Sequence, residues 1–331
     1  MSTSQAEILR AAQILESGGL VVFPTETVYG LGADAENPAA VANIFALKGR
    51  PSDHPLIVHL APEANVDHWA VDIPDAARKL IAACWPGPLT LILKKTAHVP
   101  DAVTGGQDSV GLRCPSHPVA QALLRAFKQG QGGVAAPSAN RFGHVSPTTA
   151  QHVRDEFAGD VRLGMILDGG QSDVGIESTI LDVSRWQTHG AVLLRPGQIS
   201  AERIAELIGV MPRTLDGAAP RASGTLESHY APHTPVMLVA SGELQAKVTQ
   251  LVASGKRVAL MHYSAESVAN AVAGRTLPAA PDGYAHHLYA SLRELDAAGA
   301  DVIAVELPPQ VAAWQGVNDR LRRAAHGARF K

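Results

Sequence analysis

Apolar runs and amphipathic stretches alternate along the first 209 residues of the chain. Short apolar runs such as 20–23 have the length of buried strands, whereas an apolar residue at every third or fourth position indicates a helix. The chain opens with such a helix, in which Ser4 and Glu7 form a capping box and two glycines form the stop signal. The alternation predicts one α/β domain with a large mixed sheet over residues 1–209. The predicted strands lie near 20–24, 55–60, 89–94, 109–113, 133–136, 164–167, 178–183 and 191–195, and further helices near 38–48, 74–84, 117–128, 148–157 and 200–208.

The pattern changes after residue 209. Residues 210–234 have no periodicity and are rich in Pro, Gly, Ala and Ser, which is typical of a linker. The linker carries the motif SHYAP at 228–232, and a long connection that includes His and Tyr is more often functional than disordered. Strands and helices alternate again over residues 235–331, which predicts a smaller, Rossmann-like α/β domain. Its predicted strands are 235–240, 257–263 and 301–307, and its predicted helices are 243–255, 284–299 and 314–327.

Composition narrows the class of protein. The 331 residues are 46% hydrophobic and 18% charged, which suits an α/β protein with a large core. No apolar run approaches the ~18 residues that a membrane span needs, and the first residues do not resemble a signal peptide. We therefore expect a cytoplasmic protein without membrane contact. Two cysteines are too few for a disulfide framework or a cysteine-based zinc site. A formal net charge of −3 means that phosphate or RNA would have to bind at a local basic patch.

The segment PTETVYGLG, residues 24–32, is the most informative stretch. A short apolar strand leads into it, and polar side chains then crowd together before Gly30 and Gly32. Polar groups beside glycine at a strand end often mark backbone held close to a ligand. A glycine-rich turn that happens to carry threonines would explain the segment if it stood alone. Other polar segments make the ligand interpretation the better one.

Strand parity places cationic groups on one side of several predicted strands. In SVGLRCP, Ser109 and Arg113 lie opposite Val110 and Leu112, and in PLIVHL His59 lies opposite the core positions. Arg195 ends a third strand and is expected to oppose Val192 and Leu194. The loop 48–54 adds Lys48, Arg50 and His54, which could offer point charge, a bidentate fork and hydrogen bonds to a triphosphate. Together these residues predict a cationic concavity.

Hydroxyl-rich loops add further donors. Residues 136–148 carry Ser138, Asn140 and Ser146 around a glycine, and residues 168–182 carry Ser178 and Thr179. Such groups commonly bind phosphate or carboxylate oxygens, although each loop could also be an ordinary turn or helix cap. There is no P-loop, nucleophile elbow or legible catalytic triad. Residues 30–35 match GxGxxA, but the next helix starts too late to hold a pyrophosphate, so we reject a dinucleotide site.

These segments, in this order, resemble the long form of the YrdC-type threonylcarbamoyl-AMP synthases. The resemblance is carried by PTETVYGLG, KGRPSDHPLIVHL, PGPLT, SVGLRCPSHP, APSANRFGHVSPT, IESTILD, LLRPG and SHYAP, and it spans nearly the whole chain. It implies an open, twisted mixed sheet with a concave active site, followed by the smaller domain. The implied reaction condenses L-threonine, bicarbonate and ATP to threonylcarbamoyl-AMP and pyrophosphate, a nucleotidyl transfer. The product serves threonylcarbamoylation of the adenosine beside the anticodon of tRNA.

The resemblance also implies roles for individual residues. Threonine is expected at Thr27, His59, Arg113, Ala136 and Ser178, with Arg113 facing its carboxylate. ATP is expected at Lys48, Arg50, His54, Ser109, Ser138, Asn140, Ser146 and Arg195, with Tyr230 closing over the nucleotide. Mg²⁺ is expected to arrive on the phosphates of ATP, because no acidic cage is visible and no protein metal site is predicted. The family would have a proline near Ser223.

Two other functions could be served by a basic concavity of this kind. A non-catalytic module could bind double-stranded RNA or tRNA with the same basic concavity. Few aromatic residues and a near-neutral net charge make RNA binding a weaker interpretation of the sequence. A carbamoyltransferase-like enzyme that uses carbamoyl phosphate would be expected to carry zinc-finger and acylphosphatase-like segments, which this sequence lacks. The partners expected for the synthase are its three substrates, a possible contact with tRNA or double-stranded RNA, and the downstream tRNA threonylcarbamoyl transferase machinery.

Overall fold

The computed structural model of the protein describes residues 3–215, 217, 219–225, 229–264 and 269–326. The described residues divide into two compact units. The first unit comprises those within Met1–Phe142, Pro147–Asp173 and Glu177–Thr225, and the second comprises those within Gly143–Ser146, Val174–Ile176 and Leu226–Lys331. The predicted mixed α/β fold class is confirmed for both. Ser228, the first residue of the SHYAP motif, lies outside the described residues.

The described residues of the first unit form an 11-stranded mixed sheet. Its strands follow the order β11-β10-β9-β5-β6-β3-β7-β2-β1-β8, and β4 pairs with β5. Strands far apart in the sequence are therefore neighbours in the sheet. The strands are β1 Leu20–Phe23, β2 Gly30–Asp34, β3 Ile57–Leu60, β4 Ala70–Val71, β5 Leu89–Lys95, β6 Ser109–Arg113, β7 Gly133–Ala135, β8 Leu163–Ile166, β9 Thr179–Asp182, β10 Val192–Arg195 and β11 Arg213–Thr214.

Helices cover this sheet and build its core. The predicted capping box of α1 is confirmed, with the Ser4 and Glu7 side chains each bonded to the other's backbone N–H. The largest apolar cluster contains α2 residues such as Ile44 and strand residues such as Val58 and Leu112. The helices of the first unit are α1 Gln5–Glu16, α2 Pro38–Lys48, α3 Val66–Trp69, α4 Asp75–Cys84, α5 Asp101–Thr104, α6 Pro118–Ala126, α7 Ala150–Glu156, α8 Trp186–His189 and α9 Ala201–Ile208. The described helices include none with the length and apolar character of a membrane span.

The last three residues of the PTETVYGLG segment begin a strand, where the sequence pattern suggested a polar loop. β2 pairs antiparallel with β1, so that residues 24–29 form the connection of a hairpin. Its two glycines hide the apolar alternation that marks a strand. Gly32 is required by packing: a Cβ there would lie 2.8 Å from Val134 Cγ1 and 2.9 Å from Phe23 Cε1. The same strand explains why no dinucleotide loop forms, because α2 begins beyond it at Pro38 with Asn37 as its cap.

Several elements are too short for the sequence pattern to predict them. The helices α3, α5 and α8 each have four residues, which is about one turn. β11 falls inside the predicted structureless linker and pairs in parallel with β10. The first part of that linker therefore belongs to the sheet of the first unit.

The described residues of the second unit form a four-stranded parallel sheet in the order β12-β15-β13-β14. This arrangement confirms the predicted Rossmann-like class of the smaller domain. β14 was not predicted, because its sequence AGRT is small and polar and three of its four residues are exposed. The elements are β12 Val236–Val239, α10 Leu244–Ala253, β13 Val258–His262, β14 Ala273–Thr276, α11 Pro281–Asp296, β15 Val302–Glu306 and α12 Gln315–His326.

The contacts of Gly32 lead to a stability prediction. Gly32→Ala should lower the free energy of unfolding by about 1–3 kcal/mol, because two packed side chains would have to move. Urea-induced unfolding measures the change. Gly242→Ala is the matched control, since no atom lies within 4 Å of its added Cβ. Equal stabilities for the two variants would contradict the packing argument.

Candidate active site

His59 and Arg113 lie side by side at the ends of two neighbouring strands. β3 and β6 run in parallel, with His59 in register with Arg113 and Val58 in register with Leu112. Val58 and Leu112 belong to the main apolar core, so the predicted parity of these two strands is confirmed. The imidazole and the guanidinium are both buried. Burial, and then the charge of Arg113, lowers the pKa of His59 to about 3, so this imidazole is neutral.

Glu26 forms a buried ion pair with Arg113, and sequence reasoning missed this role. Arg113 Nη2 lies 2.7 Å from Glu26 Oε1, and each side chain is 5% exposed. The second carboxylate oxygen accepts a hydrogen bond of 3.1 Å from the Ser116 backbone N–H. The signal available in the sequence was a carboxylate inside the polar turn that follows β1. Its partner lies 87 positions further along the chain, which no local pattern can indicate.

The turn between β1 and β2 is held by its own threonines. The Thr25 hydroxyl lies 2.9 Å from the Thr27 hydroxyl and donates to the Val28 carbonyl at 2.6 Å. The predicted site residue Thr27 is buried at 1% exposure. Ala136 lies beside this turn, because its N–H donates to the Ile57 carbonyl and a Cβ on Gly30 would be 3.3 Å from its own Cβ. The structure therefore brings the turn, Ala136 and the His59 strand together.

A second cluster centres on Ser178. Its hydroxyl lies 2.8 Å from Thr90 Oγ1 and accepts a hydrogen bond of 3.2 Å from Arg195 Nη2. Arg195 Nε also donates to the Ser178 carbonyl at 3.0 Å. Thr90 was not predicted as a site residue, although the PGPLT motif contains it. Two hydroxyls and one guanidinium form a compact set of donors here.

Arg195 reaches this cluster by a route that strand parity did not predict. The register of β10 against β9 shifts between Leu193 and Arg195, which is the mark of a β-bulge. Arg195 is thereby in register with Ile180, which packs in one cluster with Val192 and Leu194. The expectation that Arg195 opposes Val192 and Leu194 is wrong, because the extra residue of the bulge turns its side chain to their face.

Lys48 holds the loop that follows β7. Its Nζ donates to the Ser138 carbonyl at 2.6 Å and also to the Asn140 carbonyl. Its own carbonyl accepts from the N–H of Phe142. Burial, with the nearby charge of Arg50, places the Lys48 pKa well below its ordinary value. Three predicted residues, Lys48, Ser138 and Asn140, therefore form one connected group.

Arg50 meets the first part of the predicted linker. Its Nη2 donates to the Pro55 carbonyl at 3.0 Å and to the Ser223 hydroxyl at 3.2 Å. The Ser223 hydroxyl donates in turn to the Pro55 carbonyl, and the Ser223 carbonyl accepts from Arg195 at 2.9 Å. A proline at this position has no hydroxyl and could not bridge Arg50 to Pro55 in this way. Ser223 thus links two arginines predicted for the nucleotide.

Two further residues predicted for the nucleotide are His54 and Ser109. The His54 ring makes an edge contact with Phe142, and burial followed by repulsion from Arg50 lowers its pKa. Ser109 begins β6 and is buried, and its hydroxyl has no hydrogen-bond partner among the described residues. Ser109 lines a small cavity of about 10 Å³ together with Ile57, Ile180 and Ser223.

Two predicted site residues, Ser146 and Tyr230, belong to the second unit. Tyr230 has a left-handed backbone with a φ of 59°. Within that unit its ring packs against His229 and Tyr289, and the Arg320 guanidinium lies 5.4 Å from the ring centre. The expected contact of both residues with the nucleotide stays a prediction.

Comparisons with known proteins cover almost all of the chain. A family model described as "Telomere recombination" matches residues 13–197, and one described as "Threonylcarbamoyl-AMP synthase, C-terminal domain" matches residues 199–326. A Pyrococcus abyssi relative named threonylcarbamoyl-AMP synthase is 39% identical over 95% of this chain and 93% of its own. A Bacillus subtilis relative of the same name is 37% identical over 99% of this chain and 95% of its own.

Solved structures agree with these sequence matches. The crystal structure of P. abyssi Sua5 complexed with L-threonine has a TM-score of 0.89 and 35% sequence identity, covering 98% of this chain and 96% of that chain. The fold and the two matched regions define a two-part protein of the Sua5 and YrdC type. The chain belongs to the threonylcarbamoyl-AMP synthase family.

The neutral state of His59 leads to a pH prediction. Its pKa is about 3 in the folded protein, so the unfolded chain takes up a proton near pH 6.5 that the folded chain refuses. Stability should therefore fall as the pH drops from about 6.5 toward 3. Between pH 7 and pH 5 the wild type should lose about 2 kcal/mol more than His59→Gln. Urea unfolding at both pH values tests this, and equal losses would show that His59 titrates normally.

Proposed function

We propose that the protein condenses L-threonine, bicarbonate and ATP into threonylcarbamoyl-AMP and pyrophosphate, as a nucleotidyltransferase. The observation that carries this proposal is the buried row formed by Glu26, Arg113 and His59 at adjoining strand ends. Membership of the synthase family supports the same reaction. The relative solved with L-threonine matches along nearly the whole chain.

Threonine is assigned to the region around Arg113. A guanidinium is the natural partner of an α-carboxylate, because it can donate two parallel hydrogen bonds. The neutral His59 beside it can donate or accept a hydrogen bond without adding charge. The proposed threonine contacts within the first unit are Thr27, His59, Arg113, Ala136 and Ser178.

ATP is assigned to the two connected groups around Lys48 and around Arg50 with Arg195. Their buried cations can neutralise phosphate charge at short range. Arg50 and Arg195 both donate hydrogen bonds to Ser223. When ATP binds, its phosphate oxygens would replace Ser223 as the acceptors of these hydrogen bonds. The proposed nucleotide contacts within the first unit are Lys48, Arg50, His54, Ser109, Ser138, Asn140 and Arg195.

The chemistry needs charge and positioning rather than a protein nucleophile. The threonine amine and bicarbonate give a carbamate and water, a carbamate oxygen attacks the α-phosphorus, and pyrophosphate leaves. Arginine and hydroxyl donors stabilise charge on the transferring group in such reactions. The described residues include no group of three or more His, Cys, Asp or Glu side chains able to hold a metal ion. We therefore propose that Mg²⁺ is carried by the ATP phosphates and water.

The further fate of the product is also part of the proposal. A threonylcarbamoyl adenylate is an activated acyl donor, and the adenosine beside the tRNA anticodon is its proposed acceptor through a separate transferase. The rival function, a non-catalytic RNA-binding module, gains no support from the buried arginines. Each of them is bonded inside the protein, whereas RNA backbone is gripped by cations on the surface.

Product formation gives the first functional prediction. Purified protein supplied with ATP, Mg²⁺, bicarbonate and radiolabelled L-threonine should release pyrophosphate and form a labelled adenylate. Omitting threonine should abolish pyrophosphate release, because the carbamate is the attacking group. Undiminished release without threonine would refute the substrate assignment.

Arg113 and Arg195 should each be needed for the binding of a different substrate. Arg113→Ala should weaken L-threonine binding at least tenfold, and Arg195→Ala should do the same for ATP, because each loses a charged hydrogen-bond donor. Calorimetric titration of each variant with each ligand measures both constants. Arg154→Ala, which removes an exposed guanidinium paired with Asp168, is the control and should change neither. Exchanged effects would contradict the residue roles.

A further inference from the structure

Glu26 is a buried carboxylate inside the proposed threonine site. Its Oε1 lies 2.7 Å from Arg113 Nη2, and its Oε2 accepts the Ser116 N–H. Although Oε1 is in ionic contact with Arg113, it has no hydrogen-bond partner among the described residues. A lone pair of this carboxylate is thus available to a further donor. Charged oxygens buried in this way normally fill their hydrogen-bonding capacity.

The net charge of the Glu26–Arg113 pair indicates what kind of ligand it can bind. An anion such as a simple carboxylate would be best served by a guanidinium with surplus positive charge. Here Glu26 cancels the charge of Arg113, and the neighbouring His59 is neutral. The Glu26–Arg113 pair has no net charge but presents a negative and a positive group side by side. It therefore complements a ligand that also carries adjacent positive and negative groups and no net charge. An α-amino acid is such a ligand, because its ammonium and carboxylate are attached to one carbon.

We infer that Glu26 is a specificity-determining residue that binds the α-ammonium of the amino-acid substrate while Arg113 binds its carboxylate. The inference deepens the proposed function and rests on it for the identity of the amino acid. Glu26 then has two roles, since it also orients the Arg113 guanidinium. A purely orienting role is the alternative that an experiment must separate.

Two ligands that differ only in the α-ammonium distinguish ammonium binding by Glu26 from a purely orienting role. L-Threonine and 2,3-dihydroxybutyrate have the same carboxylate and side chain, but the second has a hydroxyl in place of the ammonium. The wild type should bind threonine at least 100-fold more tightly than the hydroxy acid, as measured by calorimetry without ATP. Glu26→Gln removes the charge at nearly constant shape and should reduce this preference at least tenfold, chiefly by weakening threonine.

A merely orienting Glu26 predicts another result. If it acted through Arg113 alone, Glu26→Gln would weaken both ligands by the same factor and the preference would stay unchanged, which would overturn the inference. Glu63→Gln is the matched control, because Glu63 forms an ion pair of the same 2.7 Å length with Arg125 on the surface. It should change neither affinity. Circular dichroism and thermal melting establish that each variant is folded.

The wild type alone keeps the inference testable if Glu26→Gln does not fold. Equal affinities of the wild type for threonine and 2,3-dihydroxybutyrate would overturn it without any variant. Threonine-dependent pyrophosphate release together with an unmoved preference would sink this inference and leave the proposed function standing. The reverse result, a shifted preference without pyrophosphate release, would sink the proposed function. No binding of threonine at all would overturn both.

Discussion

The structure of the first unit depends on how it compensates buried positive charge. Lys48, Arg50, Arg113 and Arg195 are each at most 9% exposed. Taking one such charge out of water costs several kcal/mol unless polar partners replace the lost hydration. Glu26 provides a full opposite charge for Arg113, and backbone carbonyls accept hydrogen bonds from Lys48, Arg50 and Arg195. These bonds fix the turn after β1, the loop after β7 and the linker residue Ser223 in place.

Carbonyl compensation has a functional consequence. A carbonyl offers a partial negative charge, so a cation bonded to carbonyls keeps an attraction for anions that one paired with a carboxylate largely loses. Lys48, Arg50 and Arg195 each donate to backbone carbonyls, which fits their proposed contact with a polyphosphate. Arg113 is paired with a carboxylate, which fits its proposed contact with a zwitterion. The proposed division into a nucleotide part and an amino-acid part is consistent with these partners.

Part of this arrangement could be read from the sequence. Strand parity correctly placed His59 and Arg113 opposite the core, because both strands are regular and half of each is plainly apolar. It failed for Arg195, since a bulge inserts a residue that leaves no mark in the apolar pattern. Glu26 and Ser223 were missed for another reason. Their partners lie 87 and 173 positions away and meet them only through the order of strands in the sheet.

The most direct test observes the arginines themselves. Nuclear magnetic resonance of the side-chain Nε–Hε groups, assigned with Arg50→Lys, Arg113→Lys and Arg195→Lys, reports which guanidinium each substrate affects most. A two-part cationic site predicts that L-threonine shifts the Arg113 resonance most and that of Arg195 less, because Arg195 is bonded to Ser178 at the edge of the proposed threonine site. ATP with Mg²⁺ should shift the Arg195 and Arg50 resonances most. If both substrates shifted the same arginine most, or if threonine shifted none of them, the two-part cationic site would be contradicted.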